Sequence, residues 1–245
     1  MSWKIGLIGT GNLAAFWARE IRRNRENTLL IKGSNIEKTT AFCAQFEGEA
    51  LQDKSDVDLY LIAVQNDAID HVIAELPTHR PVFVCAGFHR SSLSHVGYLY
   101  PLQSIHVNRM PRMEEVPILI DASEELGKVG ERFLSSIGAT SHHVTTEERL
   151  HSHLAAVFIN NFGYFILKEG FELGNKVLPT EMFLPLLHKT VENALSQEDL
   201  QTGPARRNDR LMMEEQLRML DTIDASMADL YRHISQLIVQ KHHEL

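Results

Sequence analysis

Near its start the chain runs Lys4-Ile5-Gly6-Leu7-Ile8 and then Gly9-Thr10-Gly11-Asn12-Leu13-Ala14, an apolar strand that breaks on glycines and passes directly into a helix. Gly9 allows a tight turn, Gly11 lets backbone approach a pyrophosphate, and Ala14 lets the helix pack close to the strand. The free N–H groups at the helix start would face the phosphates. Leu13, Phe16, Trp17 and Ile21 then carry apolar side chains at helical spacing. The pattern predicts a dinucleotide site built by Gly9, Thr10, Gly11, Asn12 and Leu13. The alternative is a glycine turn in a doubly wound domain that binds no nucleotide.

Strand and helix patterns alternate after this unit. Residues 28–32, 57–64, 81–86, 116–120 and 141–144 read as strands, and 39–46 and 68–76 as helices. Such alternation predicts an α/β fold, a doubly wound Rossmann-like and mostly parallel sheet with helices on both faces. Ligands then sit at the carboxyl ends of the strands, which puts 9–12, 33–35, 65–67 and 87–89 on one rim. Val64, Gln65, Asn66, Ala86 and Gly87 become candidates for the nicotinamide end of a cofactor. From about residue 147 the pattern turns to long helices, 146–173, 180–196 and 208 to the C-terminus with a break near 221–224. With 245 residues, 44% of them hydrophobic, the chain has material for two domains. The expected division is 1–146, binding dinucleotide, and 147–245, an all-α domain for dimerisation and substrate.

The cofactor choice turns on the end of the second strand. NAD calls for a carboxylate there, about 20 residues past the glycines, to hold the ribose hydroxyls. The chain has Lys32-Gly33-Ser34-Asn35 instead, with Lys38 nearby. Nothing repels a 2′-phosphate, and Ser34 and Asn35 could donate to one, so NADP is favoured over NAD. Lys32 and Lys38 could equally be solvated surface charges.

The helix from Arg149 to Glu169 is apolar nearly all round and should be buried on every side, most easily by forming a homodimer. His153, Asn160 and Tyr164 fall within ~40° of one another at 100° per residue, and Asn161 lies ~80° from His153. Buried polar groups must be satisfied or line a wet cleft. In a cleft, His153 would exchange a proton beside a transferred hydride, and Asn160 or Asn161 would orient a substrate oxygen. A satisfied core histidine is the competing reading. The turn 202–209 carries Arg206 and Arg207 ahead of a helix capped by Asn208 or Asp209, and Arg207 could hold an anionic substrate group. Tyr100-Pro101-Leu102-Gln103-Ser104 reads as a polar-tipped loop near the rim.

A net charge of −8 argues against a nucleic-acid partner. No apolar run reaches the ~20 residues that span a bilayer, so no membrane partner is expected. Two cysteines, Cys43 and Cys85, without metal-like spacing fit a reducing cytoplasm. The pairs His142/His143, His151/His153 and His242/His243 lack a ligand set, and no metal is expected.

Taken together, Gly9-Thr10-Gly11-Asn12, Asn66-Asp67-Ala68-Ile69, Tyr100-Pro101-Leu102-Gln103, His153–Phe158 with Asn161-Phe162, Leu184-Pro185-Leu186 and Gln201–Ala205 with Arg207-Asn208-Asp209 resemble a bacterial oxidoreductase family. Its members join a Rossmann-like domain to a helical domain of unknown function, the DUF2520 type. They are related to 6-phosphogluconate dehydrogenase, pyrroline-5-carboxylate reductase and ketopantoate reductase. The resemblance covers nearly the whole chain and implies NADP binding and a dimerising helical domain. It names no substrate. The family's usual His-Thr-Ser/Ala-Gly stretch reads Val84-Cys85-Ala86-Gly87 here, so its imidazole and hydroxyl are missing, and His89 is the nearest substitute. The function expected is a cytoplasmic NADP-dependent oxidoreductase acting on a small, carboxylate-bearing metabolite in an interdomain cleft. A dinucleotide-binding sensor or scaffold without catalysis is the alternative.

Overall fold

Alternating apolar side chains along short strands build a sheet with two greasy faces, and the sequence supplies them in parallel order. The computed structural model describes residues 2–52, 56–77 and 79–243. Its strands are β1 (Lys4–Ile8), β2 (Thr28–Lys32), β3 (Glu49–Ala50), β4 (Leu59–Ile62), β5 (Val82–Val84), β6 (Val96–Pro101), β7 (Ile118–Asp121) and β8 (Ser141–His143). They form one eight-stranded sheet in the order β3-β2-β1-β4-β5-β6-β7-β8. Pairing is parallel from β3 through β6; β7 runs antiparallel to β6, and β8 parallel to β7.

The two-residue period of the strands splits the core between the faces. Ile5, Leu7, Leu59, Leu61, Phe83 and Leu99 pack with α1 (Asn12–Arg23) and α4 (Glu124–Ser136) on one face. Ile8, Tyr60, Ile62, Val82, Val84 and Tyr98 pack with α3 (Ile69–Glu75) on the other. The helix α2 (Ile36–Phe46) adds Phe42 to the first core. In α1 the residues Ala14, Phe16, Trp17, Ala18 and Ile21 are completely buried, while Arg22 and Arg23 occupy its last turn, where cations complement the helix dipole.

Tyr100 and Pro101, which the sequence pattern puts in a loop, are the last two residues of β6. Proline is tolerated there as the final residue, where little ladder is left to break. Beyond β8 comes α5 (Thr146–Ala156), opened by a capping box in which Thr145 and Glu148 satisfy each other's backbone N–H. A π-helical turn over Val157–Phe162 joins α5 to α6 (Gly163–Gly174) without a break.

The chain divides into two compact units, 1–167 and 168–245. The first therefore keeps α5 and the π turn, which Arg149 ties to the sheet. The second contains the end of α6, then α7 (Leu184–Ala194), α8 (Arg210–Ile223) and α9 (Ala225–His243). Asp209 caps α8 by accepting from the Met212 N–H at 3.2 Å, whereas Asn208 sits in the left-handed region at φ 53°. Asp224 caps α9. Tyr231 of α9 donates to Gln216 of α8 at 2.6 Å.

The expectation that the helix at 149–169 is buried on every side does not hold within the chain. Arg149 and Leu150 are buried, but Phe158 is 62% and Ile159 79% exposed, and Phe162, Phe165 and Ile166 are exposed as well. Only the first turns of α5 meet the sheet; the turns beyond them are apolar without cover from this chain.

Candidate functional site

Gly9 adopts φ 123°, and a Cβ there would stand 2.2 Å from the Ala63 carbonyl oxygen, so only glycine fits the turn. Its N–H donates to Lys32 O at 2.8 Å. Gly11 is the N-cap of α1, and no side chain caps that helix. A Cβ on Gly11 would meet nothing within 4 Å. An uncapped helix start facing open space offers its first-turn N–H groups to an anion, and the cradle fits a pyrophosphate. Thr10 packs beside Gly33, and the Asn12 Oδ1 accepts from the Val107 N–H at 3.3 Å. Leu13 packs against the core, so it can contribute only backbone to this cradle.

At the end of β2, Asn35 caps α2, its Oδ1 accepting from the Lys38 N–H at 3.0 Å. Lys32 pairs with Glu75 at 3.2 Å. Ser34 and the Lys38 side chain are exposed at the start of α2, and no carboxylate ends the strand. After β4, Val64 is half-buried, Gln65 exposed, and Asn66 donates from Nδ2 to Phe88 O at 3.0 Å. The turns after β4 and β5 are thereby tied together.

The Ala86–His89 turn is organised by Arg149, whose side chain is completely buried. Nε donates to Asp121 Oδ2 at 2.9 Å, Nη1 to Gly87 O at 2.7 Å and Ala86 O at 3.3 Å, and Nη2 to His89 O at 2.7 Å. The guanidinium lies 3.7 Å from the Tyr98 ring centroid. Thr146 donates to the other Asp121 oxygen at 3.1 Å. A buried cation needs this degree of pairing.

One turn along α5, His153 brings Nδ1 to 3.1 Å from Tyr100 Oη, with the two rings edge to face. Gly87 lies under both: a Cβ on it would stand 2.3 Å from His153 Nδ1 and 2.8 Å from Tyr100 Cζ. Burial, and then the charge of Arg149, hold the His153 pKa below its ordinary value. Burial pushes the Tyr100 phenol up. The pair is therefore a neutral imidazole beside a protonated phenol at neutral pH. It borders a cleft of about 540 Å³ lined also by Leu102, Gln103, Ser104, Asn160 and Asn161. Every lining residue of this cleft is uncharged.

His153, Asn160 and Asn161 thus line one cleft, and Tyr164 does not. The reason is the π turn: Gly163 N–H reaches back to Phe158 O, five residues earlier, which shifts the helix face relative to an unbroken α-helix. Arg207 belongs to the second unit, exposed in the turn after Gly203, with its N–H donating to Gly203 O at 3.3 Å. Its neighbour Arg206 is paired with Asp199 at 3.3 Å. His89 does not replace the missing imidazole, since its ring bridges Tyr98 Oη at 3.0 Å and Asp70 Oδ1 at 3.1 Å. Val84 and Cys85 are buried in the core and face no cleft. Sequence reading missed Arg149 and the pairing of Tyr100 with His153. The one available signal was an arginine inside an otherwise oily helix. Among the described residues no three potential ligands gather as a metal site, and no helix is long and apolar enough to cross a membrane.

Comparison with known proteins places this geometry. A Bacteroides fragilis protein proposed as an NADP oxidoreductase is 26% identical over 98% of both chains, with a TM-score of 0.83. Pyrroline-5-carboxylate reductase of Streptococcus pyogenes shares the fold at 16% identity, covering 100% of this chain and 99% of its own, with a TM-score of 0.61. An imine reductase variant of Myxococcus stipitatus, solved with NAD+, does so at 12% identity over 99% and 96%, with a TM-score of 0.67. No protein with a curated description matches the chain. The model of the family described as a domain of unknown function, DUF2520, matches residues 116–238, half of the chain, and the protein belongs to that family.

Proposed function

We propose that the protein is a dinucleotide-dependent reductase, using NADP in preference to NAD, that acts on a small carbonyl or imine metabolite in the cleft beside His153. The observation that carries this reading is the uncapped start of α1 at Gly11, open to a phosphate. It lies at the same sheet edge as the Tyr100–His153 pair, since β1 and β6 run in one direction. The names of the pyrroline-5-carboxylate and imine reductases support a carbon–nitrogen double bond as the substrate group.

The turn at residues 9–12 would hold the pyrophosphate of a reduced dinucleotide, whose nicotinamide would supply the hydride. The chain's own part is the proton: with Tyr100 donating to His153 Nδ1, the ring proton sits on Nε2, and as that proton passes to the product the Tyr100 hydroxyl proton moves to Nδ1, so that the imidazole stays neutral and the phenolate regains a proton from water. Asn160 and Asn161 orient the substrate. Arg207 remains the candidate for a substrate carboxylate on the sequence argument alone. Ser34 and Asn35 favour NADP because β2 and the turn after it carry no carboxylate of their own to meet the ribose. The exposed apolar run from Phe158 to Ile166 supports a homodimer through the helical segment 147–245. Two free cysteines are consistent with a cytoplasmic setting.

Calorimetric titration of the nucleotide-free protein with NADPH and NADH at fixed salt tests the reading. Micromolar binding that favours NADPH is expected. Binding of neither would refute it and leave a Rossmann-like scaffold.

A further inference from the structure

We propose that Arg149, held by Asp121, is a positioning residue that fixes the Ala86–His89 turn beneath His153 and so sets the Tyr100–His153 contact. The proposal rests on the reductase reading only for its catalytic meaning; the geometry stands without it. Arg149 and His153 are one turn apart on α5, so their side chains share a face of the helix. The guanidinium fork takes the carbonyls of Ala86, Gly87 and His89 while Asp121 holds Nε, and the Tyr98 ring packs against its plane. Gly87 is therefore pinned by its carbonyl on one side and abutted by His153 and Tyr100 on the other. A lysine could not do this, because a single ammonium lacks the planar fork.

The groups facing His153 are few. Tyr100 comes from β6, Arg149 from its own helix with Asp121 of β7 behind it, and Gly87 and Phe88 of the turn carry no charge. Arg149 thus acts on His153 in two separable ways, by placing the turn and by its charge.

The test follows the titration of His153 by NMR in the full-length, nucleotide-free protein, with the resonance assigned from H153Q. R149Q is expected to raise the midpoint toward the ordinary value of about 6.5. D121N leaves the guanidinium charge in place and removes only its counter-charge, so the midpoint is expected to stay low or fall further. Unchanged titration in R149Q would overturn the proposal, as would an upward shift in both variants, the mark of general loosening. If R149Q fails to fold, R149K decides. It keeps a charge and loses the fork, so the midpoint should stay low while the carbonyl carbon shifts of Gly87 and His89, the groups the fork holds, move. Unchanged carbonyl shifts would overturn the proposal. None of these readouts needs cofactor or substrate, so failure of the reductase reading, seen as absent NADPH binding, is distinguished from failure of this one.

Discussion

Replacing Gly87 with alanine perturbs the candidate site at its tightest point. The new methyl would sit 2.3 Å from His153 Nδ1 and 2.8 Å from Tyr100 Cζ, whereas unstrained contacts lie near 3.5–4.0 Å. The imidazole must retreat by about 1 Å, because the turn is anchored from below by Arg149. Overpacking of this kind costs about 1–3 kcal/mol, and in a chain of this size each kcal/mol lowers Tm by about 2–4 °C. A misplacement of about 1 Å in a reacting group can cost on the order of 100-fold in rate. Thermal denaturation gives the first quantity, the ring nitrogen shifts of His153 give the displacement, and kcat with an imine or keto substrate gives the third. NADPH affinity should fall less than in G11A, since the phosphate cradle at Gly9 and Gly11 is untouched. A variant with native Tm and native His153 shifts would show that the backbone yields instead of the ring, and the reasoning would be wrong.

The same geometry makes further outcomes testable. G11A should keep its stability within about 0.5 kcal/mol yet weaken NADPH binding at least tenfold, whereas G9A should be strongly destabilised by its φ and its clash with Ala63 O; equal behaviour of the two in melts and calorimetry would count against the cradle. H153A should lower kcat by about 100-fold or more with cofactor affinity retained, and undiminished turnover would remove His153 from the mechanism. Because its folded pKa is depressed, His153 contributes stability that is full above about pH 6.5 and lost as pH falls toward its folded value. H153Q should flatten that part of a urea-denaturation pH profile, and an unaltered slope contradicts the assignment. F158E should convert a dimer into a monomer in sedimentation equilibrium, since Phe158 and its edge-to-face partner Phe162 lie on the exposed apolar run; a monomeric parent protein would refute the dimer outright.

Much of the architecture is legible because it depends on local pattern. The strand at 28–32 is found where its apolar run predicts it, and the break between the last two helices falls at Asp224, whose carboxylate caps α9. Strand β6 is harder to see: Tyr100 and Pro101 look like loop residues, and only pairing with Leu119 and Ile118 makes them strand. Long-range partnership is invisible for the same reason. Arg149 and Asp121 are 28 residues apart, and nothing local tells a buried fork from a solvated charge. The Asn160-Asn161 pair gives no hint of a π turn, so the angular reading that grouped Tyr164 with His153 fails where the helix widens. His89 looks available in the sequence, but its ring is already spoken for by Asp70 and Tyr98.

The widened turn at Val157–Phe162 also acts as a phase adjuster between two surfaces of one continuous rod. Upstream of it the helix turns His153 toward the cleft; downstream it presents Phe165 and Ile166 to the outside. A π turn takes up one residue more than ordinary winding, so Phe165 and Ile166 face as they would in an α-helix one residue shorter. Deleting a single residue within the turn should therefore restore α-helical winding and leave that face nearly in place, whereas a deletion between the turn and Phe165 would swing both side chains by about 100°. Single-residue deletions should be tolerated inside the turn and not beyond it.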